Sequence, residues 1–232
     1  MKLKLNKFQK LISKKELFNE ALEKTKKEYR PLDPGQYLYN LLLEKRNKVD
    51  IFSDEYLELV YTILIAWNMN GRGAKLNDFD LFKDSIRKNR NKLNYLKRYS
   101  IEKLNEKEKN DVLEIIKVLF MELDLVGKNR SGKKIKSKLV TFSKTLHFLL
   151  PELIVPIDRR YTLAFFYNNT QVPTKPNSKS NDEKQIEIFN EIYNQFVELA
   201  RIYHLKQYID KKWNGNITKV IDNAIIGYSK LS

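Results

Sequence analysis

The chain has 232 residues and carries 44 Lys and Arg against 29 Asp and Glu, a formal net charge of +15. It contains no cysteine and only two histidines, which excludes disulfides, thiol nucleophiles and metal sites built from several Cys or His ligands. Apolar residues make up 42% and Gly and Pro number only 7 and 6, which excludes a disordered chain and disfavours a loop-rich β architecture.

Helical periodicity of the apolar residues predicts helices along the whole chain. The predicted helices cover residues 5–29, with a break near 13, and then 36–48, 54–69, 78–89, 106–124, 133–150, 159–169, 183–204 and 217–228. Capping residues support several of these starts: Asp33 is followed by a proline, Ser53 precedes the third helix, and Asn105 is followed by Glu108 three residues later. The third helix is apolar nearly all round, so we expect other helices to surround it.

The predicted architecture is all-α, a single globular multi-helix domain of about nine helices. A division into two helical lobes, residues 1–124 and 125–232, stays open. The polar, proline-containing segment 168–180 is predicted to be an exposed loop. The amino-terminal sequence lacks an uninterrupted apolar segment, and the longest apolar run, 57–67, is far shorter than the roughly 20 residues that cross a bilayer, so we expect a cytoplasmic protein without membrane contact.

The strongest charge asymmetry lies between Asp124 and Glu152, where no acidic residue occurs. This interval holds seven basic residues, Lys128, Arg130, Lys133, Lys134, Lys136, Lys138 and Lys144. Clustered positive charge of this kind is typical of a surface that binds nucleic-acid phosphates. We therefore predict that DNA, or RNA as the alternative, is contacted by Lys128, Arg130, Lys133, Lys134 and Lys136, together with Arg159 and Arg160 farther along the chain.

A second basic cluster begins at Arg87 and continues through Lys88 and Arg90 to Arg98, with Tyr95 and Tyr99 between the positive charges. A surface that crosses a phosphate backbone uses such a combination of charge and aromatic rings. We expect these residues to assist binding. A solvated helix face is the alternative interpretation.

Asp158 is the sharpest candidate for chemistry. In the sequence VPIDRRYTLAFF it stands at the predicted start of a helix, where backbone N–H groups and the helix dipole stabilise a carboxylate. A basic loop, a lysine-bearing helix and a short proline-bracketed connection precede it. Over residues 125–167 this arrangement resembles the helix-hairpin-helix DNA glycosylase superfamily, in which a glycine-rich hairpin binds the DNA backbone and a following helix leads to a catalytic aspartate. A simple helix cap is the alternative role for Asp158.

The resemblance implies roles for individual residues. Residues 125–128 stand for the hairpin, Asp158 for the carboxylate that stabilises positive charge at the sugar, and Lys138 for the lysine that forms a Schiff base. Lys144 and His147 lie on one face of the same predicted helix and are the alternates, as an amine and as a general acid or base. Crowding by like charges lowers the pKa of an amine and makes it a better nucleophile at neutral pH. No metal and no cofactor is expected.

Other functions remain open at this point. Residues 127–133 satisfy the pattern GxxxxGK, but Lys134 stands where a nucleotide-binding loop has a magnesium-binding Ser or Thr, and the preceding segment is predicted to be a helix. We interpret the loop as a nest of amides and lysines for a nucleic-acid phosphate. The alternatives to a glycosylase or lyase are a non-catalytic DNA- or RNA-binding module and a scaffold whose basic face meets an acidic protein.

Overall fold

The computed structural model describes residues 2–28, 33–67, 76–128, 131–172 and 180–231. Its α-helices are α1 (Asn6–Ser13), α2 (Lys15–Glu28), α3 (Pro34–Arg46), α4 (Asp54–Ala66), α5 (Phe79–Lys88), α6 (Arg90–Leu96), α7 (Glu106–Glu122), α8 (Leu139–Leu149), α9 (Ala164–Tyr167), α10 (Ser180–Ile202) and α11 (Ile217–Tyr228). A π-helical turn, Arg159–Leu163, leads into α9, and two short 3-10 helices cover Ile101–Lys103 and Leu205–Tyr208. Strand-like pairing in these ranges is limited to two isolated antiparallel bridges.

The all-α prediction is confirmed, and the predicted number of about nine helices is slightly too low, since the described ranges contain eleven α-helices in one domain. The first predicted helix is divided because Lys14 adopts an extended conformation between α1 and α2. An additional helix, α6, follows α5 directly. Asn89 lies at their junction, where its buried side chain donates a hydrogen bond to the Ser85 carbonyl.

The helix predicted at 133–150 begins only at Leu139, so the basic segment before it is a loop. The reason is a cap supplied from a distant part of the chain. The buried Gln185 of α10 accepts hydrogen bonds from the backbone N–H groups of Lys138 and Leu139, and its amide donates to the Lys136 carbonyl. Gln185 thereby satisfies donors that a helix start leaves open and fixes where α8 begins.

Helices α8 and α11 form the centre of the molecule. Every residue of α8 is buried, and α11 is buried from Ile217 to Gly227. The hydrophobic core is continuous and includes residues from Phe8 to Ile225. Among the described residues no helix is both long and apolar enough to cross a membrane. The predicted exposed loop 168–180 lies mostly outside the described residues.

Close packing of α11 on α2 joins the two ends of the chain. Gly227 permits this approach, because a β-carbon at this position would lie 1.7 Å from the Ala21 carbonyl oxygen and 2.5 Å from Thr25 Oγ1. Thr25 in turn donates hydrogen bonds to the carbonyls of Ala21 and Asn223. Only the absence of a side chain lets the two backbones meet here.

We expect Gly227→Ala to separate α2 from α11 and to lower the free energy of unfolding by about 1–3 kcal/mol, as overpacking of a close contact does. Urea denaturation measures this change. Lys230→Ala is the matched control at the same end of α11: it removes only a surface ion pair with Glu28 and should cost no more than about 1 kcal/mol. A Gly227→Ala protein as stable as the wild type would contradict the packing argument.

Candidate functional site

The connection that follows α8 folds back along that helix. The Ile157 N–H donates to Ser143 Oγ at 3.0 Å, and His147 Nδ1 lies 2.7 Å from the Ile154 carbonyl oxygen. These two contacts run antiparallel, so residue numbers rise on one side as they fall on the other. Directly after these contacts the chain reaches Asp158, whose carboxylate lies beside the Lys144 ammonium.

Lys144 and Asp158 form a buried ion pair. Lys144 Nζ lies 3.1 Å from Asp158 Oδ2, and the two side chains are 7% and 15% exposed. The other carboxylate oxygen of Asp158 accepts a hydrogen bond from the Arg160 N–H at 2.8 Å. Asp158 therefore caps the π-helical turn, as its position in the sequence predicts. At the same time it pairs with the ammonium of Lys144 on α8.

A second buried ion pair lies on α11. Lys219 Nζ is 2.6 Å from Asp222 Oδ2, and these side chains are 4% and 6% exposed. Asn216 caps the same helix by accepting a hydrogen bond from the Lys219 N–H at 2.9 Å. An ion pair on an otherwise apolar helix is unusual, because removing both charges from water costs several kcal/mol per ion.

Both pairs face one cavity of about 410 Å³. Its charged lining residues are Asp33, Lys144, Asp158, Lys219 and Asp222. Both lysines approach the indole of Trp67, with Lys144 Nζ 5.5 Å and Lys219 Nζ 5.1 Å from the ring centre. The cavity lies in the roughly 300–1,000 Å³ range of small-molecule sites and combines an aromatic surface with a few converging charges.

His147, the predicted alternate acid or base, is wholly buried and is not among the residues that line the cavity. Its ring stacks on Tyr39 at 5.2 Å. Burial lowers the pKa of His147 to about 3, and the positive charges of Lys219, Arg46 and Lys144 add to that shift. The imidazole is thus neutral, and it donates from Nδ1 to Ile154, which anchors the connection that carries Asp158.

Lys138, the predicted Schiff-base lysine, lies at the start of α8. Its ammonium pairs with an aspartate other than Asp158. Lys138 Nζ is 2.6 Å from Asp182 Oδ2 of α10 and 5.5 Å from the centre of the Phe120 ring. The structure therefore brings Lys144 to Asp158 and places Lys138 against α10. The family resemblance assigned this role to Lys138, and helical periodicity could not correct the assignment because it does not reveal how residues 150–157 fold back.

The basic loop, residues 127–138, holds four of the predicted nucleic-acid ligands with exposed side chains: Lys128, Lys133, Lys134 and Lys136. Arg130 lies outside the described residues. Within the loop Lys128 and Lys134 form an antiparallel backbone bridge, and Lys134 also reaches Asp124 at 3.2 Å.

Arg159 connects this loop to the cavity. Its guanidinium donates to Ser137 Oγ at 2.7 Å, while its neighbour Asp158 lines the cavity. Arg160 is exposed beside it, with its guanidinium 5.6 Å from the Tyr161 ring. The predicted residues of the loop and of the 158–161 turn are therefore brought together.

In the second predicted basic cluster, Arg87 and Arg90 form ion pairs with acidic residues of the protein itself. Arg87 pairs with Asp54 at 3.0 Å, and Arg90 pairs with Asp50 and packs on the Phe52 ring. These contacts tie α5 and α6 to the start of α4. Lys88 is exposed. Since acidic partners oppose the charge of the two arginines, the basic loop is the stronger candidate for contact with phosphates.

Sequence reasoning missed Lys219, Asp222, Asp33 and the cavity role of Trp67. A usable signal was present for the first two. Helix α11 reads ITKVIDNAIIGY, and Lys219 and Asp222 are its only charged residues, three positions apart. Lys144 is likewise the only formal charge in LVTFSKTLHFL of α8. A charge on a helix without a polar face must find a counter-ion in the interior, and this reasoning predicts buried pairs.

No protein-family model, curated protein or solved structure matches this chain. Within the described part of the chain, no group of three or more His, Asp and Glu side chains is placed to hold a metal ion. What can be concluded about function therefore depends on the geometry of the cavity and of the basic loop.

Because the pKa of His147 is about 3 in the folded protein and about 6.5 in an unfolded chain, the unfolded chain binds one more proton between these values. Stability therefore falls as pH drops through this window. His147→Asn, which keeps a donor near Nδ1, should flatten the dependence by up to about 1.4 kcal/mol per pH unit. Urea unfolding at several pH values measures the slope.

The exposed His204 supplies the control for this measurement. We expect His204→Asn to leave the pH dependence unchanged. Equal slopes for the wild type and His147→Asn would show that His147 does not stay neutral on folding.

Proposed function

We propose that this protein binds double-stranded DNA through the basic loop and acts on a nucleotide that enters the cavity, as a glycosylase or lyase does. In this proposal Lys144 supplies the reacting amine and Asp158 the carboxylate. The observation that carries it is the buried Lys144–Asp158 pair at a cavity next to a cationic surface. A few charged groups that converge on a concave cavity are typical of a ligand-binding site.

The location of the positive charge supports a polyanionic substrate. The exposed lysines of the basic loop and the exposed Arg160 are linked by the Arg159–Ser137 hydrogen bond, so a strand held by the loop passes near Asp158. Phosphate contacts position a nucleic acid, and chemistry on a base requires that the nucleotide leave the stack. A cavity of about 410 Å³ offers room for such a nucleotide.

The chemistry follows from the two charged groups. When the bond between a base and its sugar breaks, positive charge develops on the sugar ring, and the Asp158 carboxylate stabilises it. The helix cap from Arg160 N–H holds this carboxylate in place. Lys144, once its ammonium has lost a proton to solvent water, attacks the sugar carbon with its lone pair and forms a covalent intermediate. Trp67, whose ring lies beside the Lys144 ammonium, forms an aromatic part of the wall of the same cavity.

The binding step predicts a steep salt dependence. Affinity for a DNA duplex should fall as salt rises, since each phosphate contact releases counterions. We expect Lys133→Glu with Lys134→Glu to weaken binding and to reduce the slope of log affinity against log salt by about 2. Fluorescence anisotropy with a labelled duplex measures both quantities.

The matched control is Lys26→Glu with Lys27→Glu on α2, which changes the net charge by the same amount away from the loop. Its affinity should stay near that of the wild type. If both double variants lose affinity equally, binding depends on net charge and the loop assignment is wrong.

The covalent step predicts that borohydride traps the protein on a duplex with a single abasic site. Lys144→Gln should abolish the trapped species, because the nucleophile is gone while a polar group still faces Asp158. Lys138→Gln is the control and should be trapped like the wild type, since its ammonium is held by Asp182. Denaturing gel electrophoresis detects the complex, and circular dichroism checks the fold of each variant. Trapping that survives in Lys144→Gln and disappears in Lys138→Gln would reverse the assignment.

A further inference from the structure

The Lys219–Asp222 pair is a second charged unit in the cavity, and the Lys144–Asp158 chemistry does not use it. It lies on a different helix and is more deeply buried than the first pair. Both ammonium groups lie close to the same indole ring, at 5.1 and 5.5 Å from its centre. A ligand group that enters the cavity beside Trp67 would therefore have one lysine of each pair within reach.

Stability does not account for this second pair. Replacing a buried ion pair by apolar residues of similar volume is often neutral or stabilising, because desolvation offsets the attraction between the charges. Helix α11 is otherwise buried and largely apolar, with isoleucine, valine and alanine along it. A helix of this kind has no structural need for Lys219, which favours a role in the cavity.

Breaking the bond between base and sugar requires two kinds of assistance. One is stabilisation of the sugar, for which Asp158 and Lys144 suffice. The other is a proton for the departing base, which otherwise leaves as an anion. Two further titratable groups that line the cavity have other neighbours: Asp33 caps α3 by accepting from the Gln36 N–H, and Tyr161 lies beside the Arg160 guanidinium. Lys219 is a proton donor next to the aromatic surface.

We propose that Lys219 is the general acid that protonates the departing base, with Asp222 as the positioning residue that holds it; this inference rests on the proposed function. In the step, the bond between the sugar carbon and the base breaks and its electron pair stays with the base. One proton moves from Lys219 Nζ to the base. The lone pair of the neutral Lys144 amine forms the new bond to the sugar carbon. The products are a neutral base, a neutral Lys219 amine and a cationic Lys144 adduct.

Asp222 fixes the direction of the ammonium. Its Oδ2 lies 2.6 Å from Lys219 Nζ, three residues along the same helix, so the two side chains move as a unit. The N–H of Lys219 is itself held by the Asn216 side chain. Asn216 thus fixes the backbone of Lys219, and Asp222 holds its ammonium beside Trp67.

The experiment separates release of the base from reaction at the sugar. The probes are duplexes with a single 8-oxoguanine, uracil or hypoxanthine, and one duplex with a preformed abasic site, which has no base to expel. Single-turnover release is measured on the first three and borohydride trapping on the fourth. Lys219→Arg keeps the positive charge and the hydrogen-bond donors, but its pKa above about 12 makes it a poor acid.

For a base that the wild type releases, we expect Lys219→Arg to slow release at least about 100-fold, the usual contribution of a general acid, and to leave trapping on the abasic site unchanged. The double variant Lys219→Met with Asp222→Leu replaces the pair by apolar residues and should keep the fold. It should show the same separation, with release lost and trapping kept. Asp222→Asn should also slow release without affecting trapping. Lys206→Arg is the control, since it makes the same replacement at an exposed lysine that does not line the cavity, and it should behave like the wild type in both assays.

Several results would overturn the role of Lys219, and one of them would also overturn the proposed function. Release by Lys219→Arg at the wild-type rate, equal loss of release and trapping in the Lys219 variants, or an equal loss of release in Lys206→Arg would each reject Lys219 as the acid. A wild-type protein that is trapped on abasic DNA yet releases none of the three bases would also reject it. A wild-type protein that is not trapped at all would reject the proposed function as well.

Discussion

The return of the chain along α8 is the constraint on which the candidate site depends. Ser143 binds the backbone of Ile157 and His147 binds that of Ile154, so the two segments are fixed in antiparallel register. Without this register Asp158 would cap its turn at an arbitrary distance from α8. With it, the Asp158 carboxylate meets the ammonium of Lys144, the only lysine of α8. Neutral His147 is well suited to this task, because a charged imidazole would add a third cation beside Lys144 and Lys219.

The two buried ion pairs oppose the stability of the fold that holds them. Helices α8 and α11 are the most buried elements, and each carries one lysine whose ammonium must be desolvated. Each pair recovers part of this cost by a short contact, and Asp158 also accepts a hydrogen bond from the Arg160 N–H. Removing one partner would leave an uncompensated charge in the interior. The structure thus keeps charges next to a cavity where apolar residues would serve the core equally well.

Much of the fold is predictable from the sequence, because it depends on local signals. Helical periodicity and the caps at Asp33, Ser53, Asn105 and Asp158 give the all-α class and several helix starts to within a residue or two. The start of α8 is not predictable in this way, since Gln185 supplies its cap from 46 residues away. Asp158 was recognised from its position, whereas its partner was assigned to Lys138, because the choice between two lysines of one helix is made by a tertiary contact.

The same reasoning explains why the basic loop was easier to recognise than the cavity. Exposed basic residues can cluster in a sequence without acidic residues between them, and the four exposed lysines of the loop are such a cluster. A buried charge is single and looks like an ordinary surface residue until its helix is seen to lack a polar face. Gln185 and Asp182 of α10 hold the end of the basic loop, and Arg159 holds Ser137 within it. The beginning of α8 and the turn at Asp158 therefore hold both the loop and the cavity in place. A displacement of the loop by a bound strand would be transmitted to the Asp158 carboxylate through Arg159.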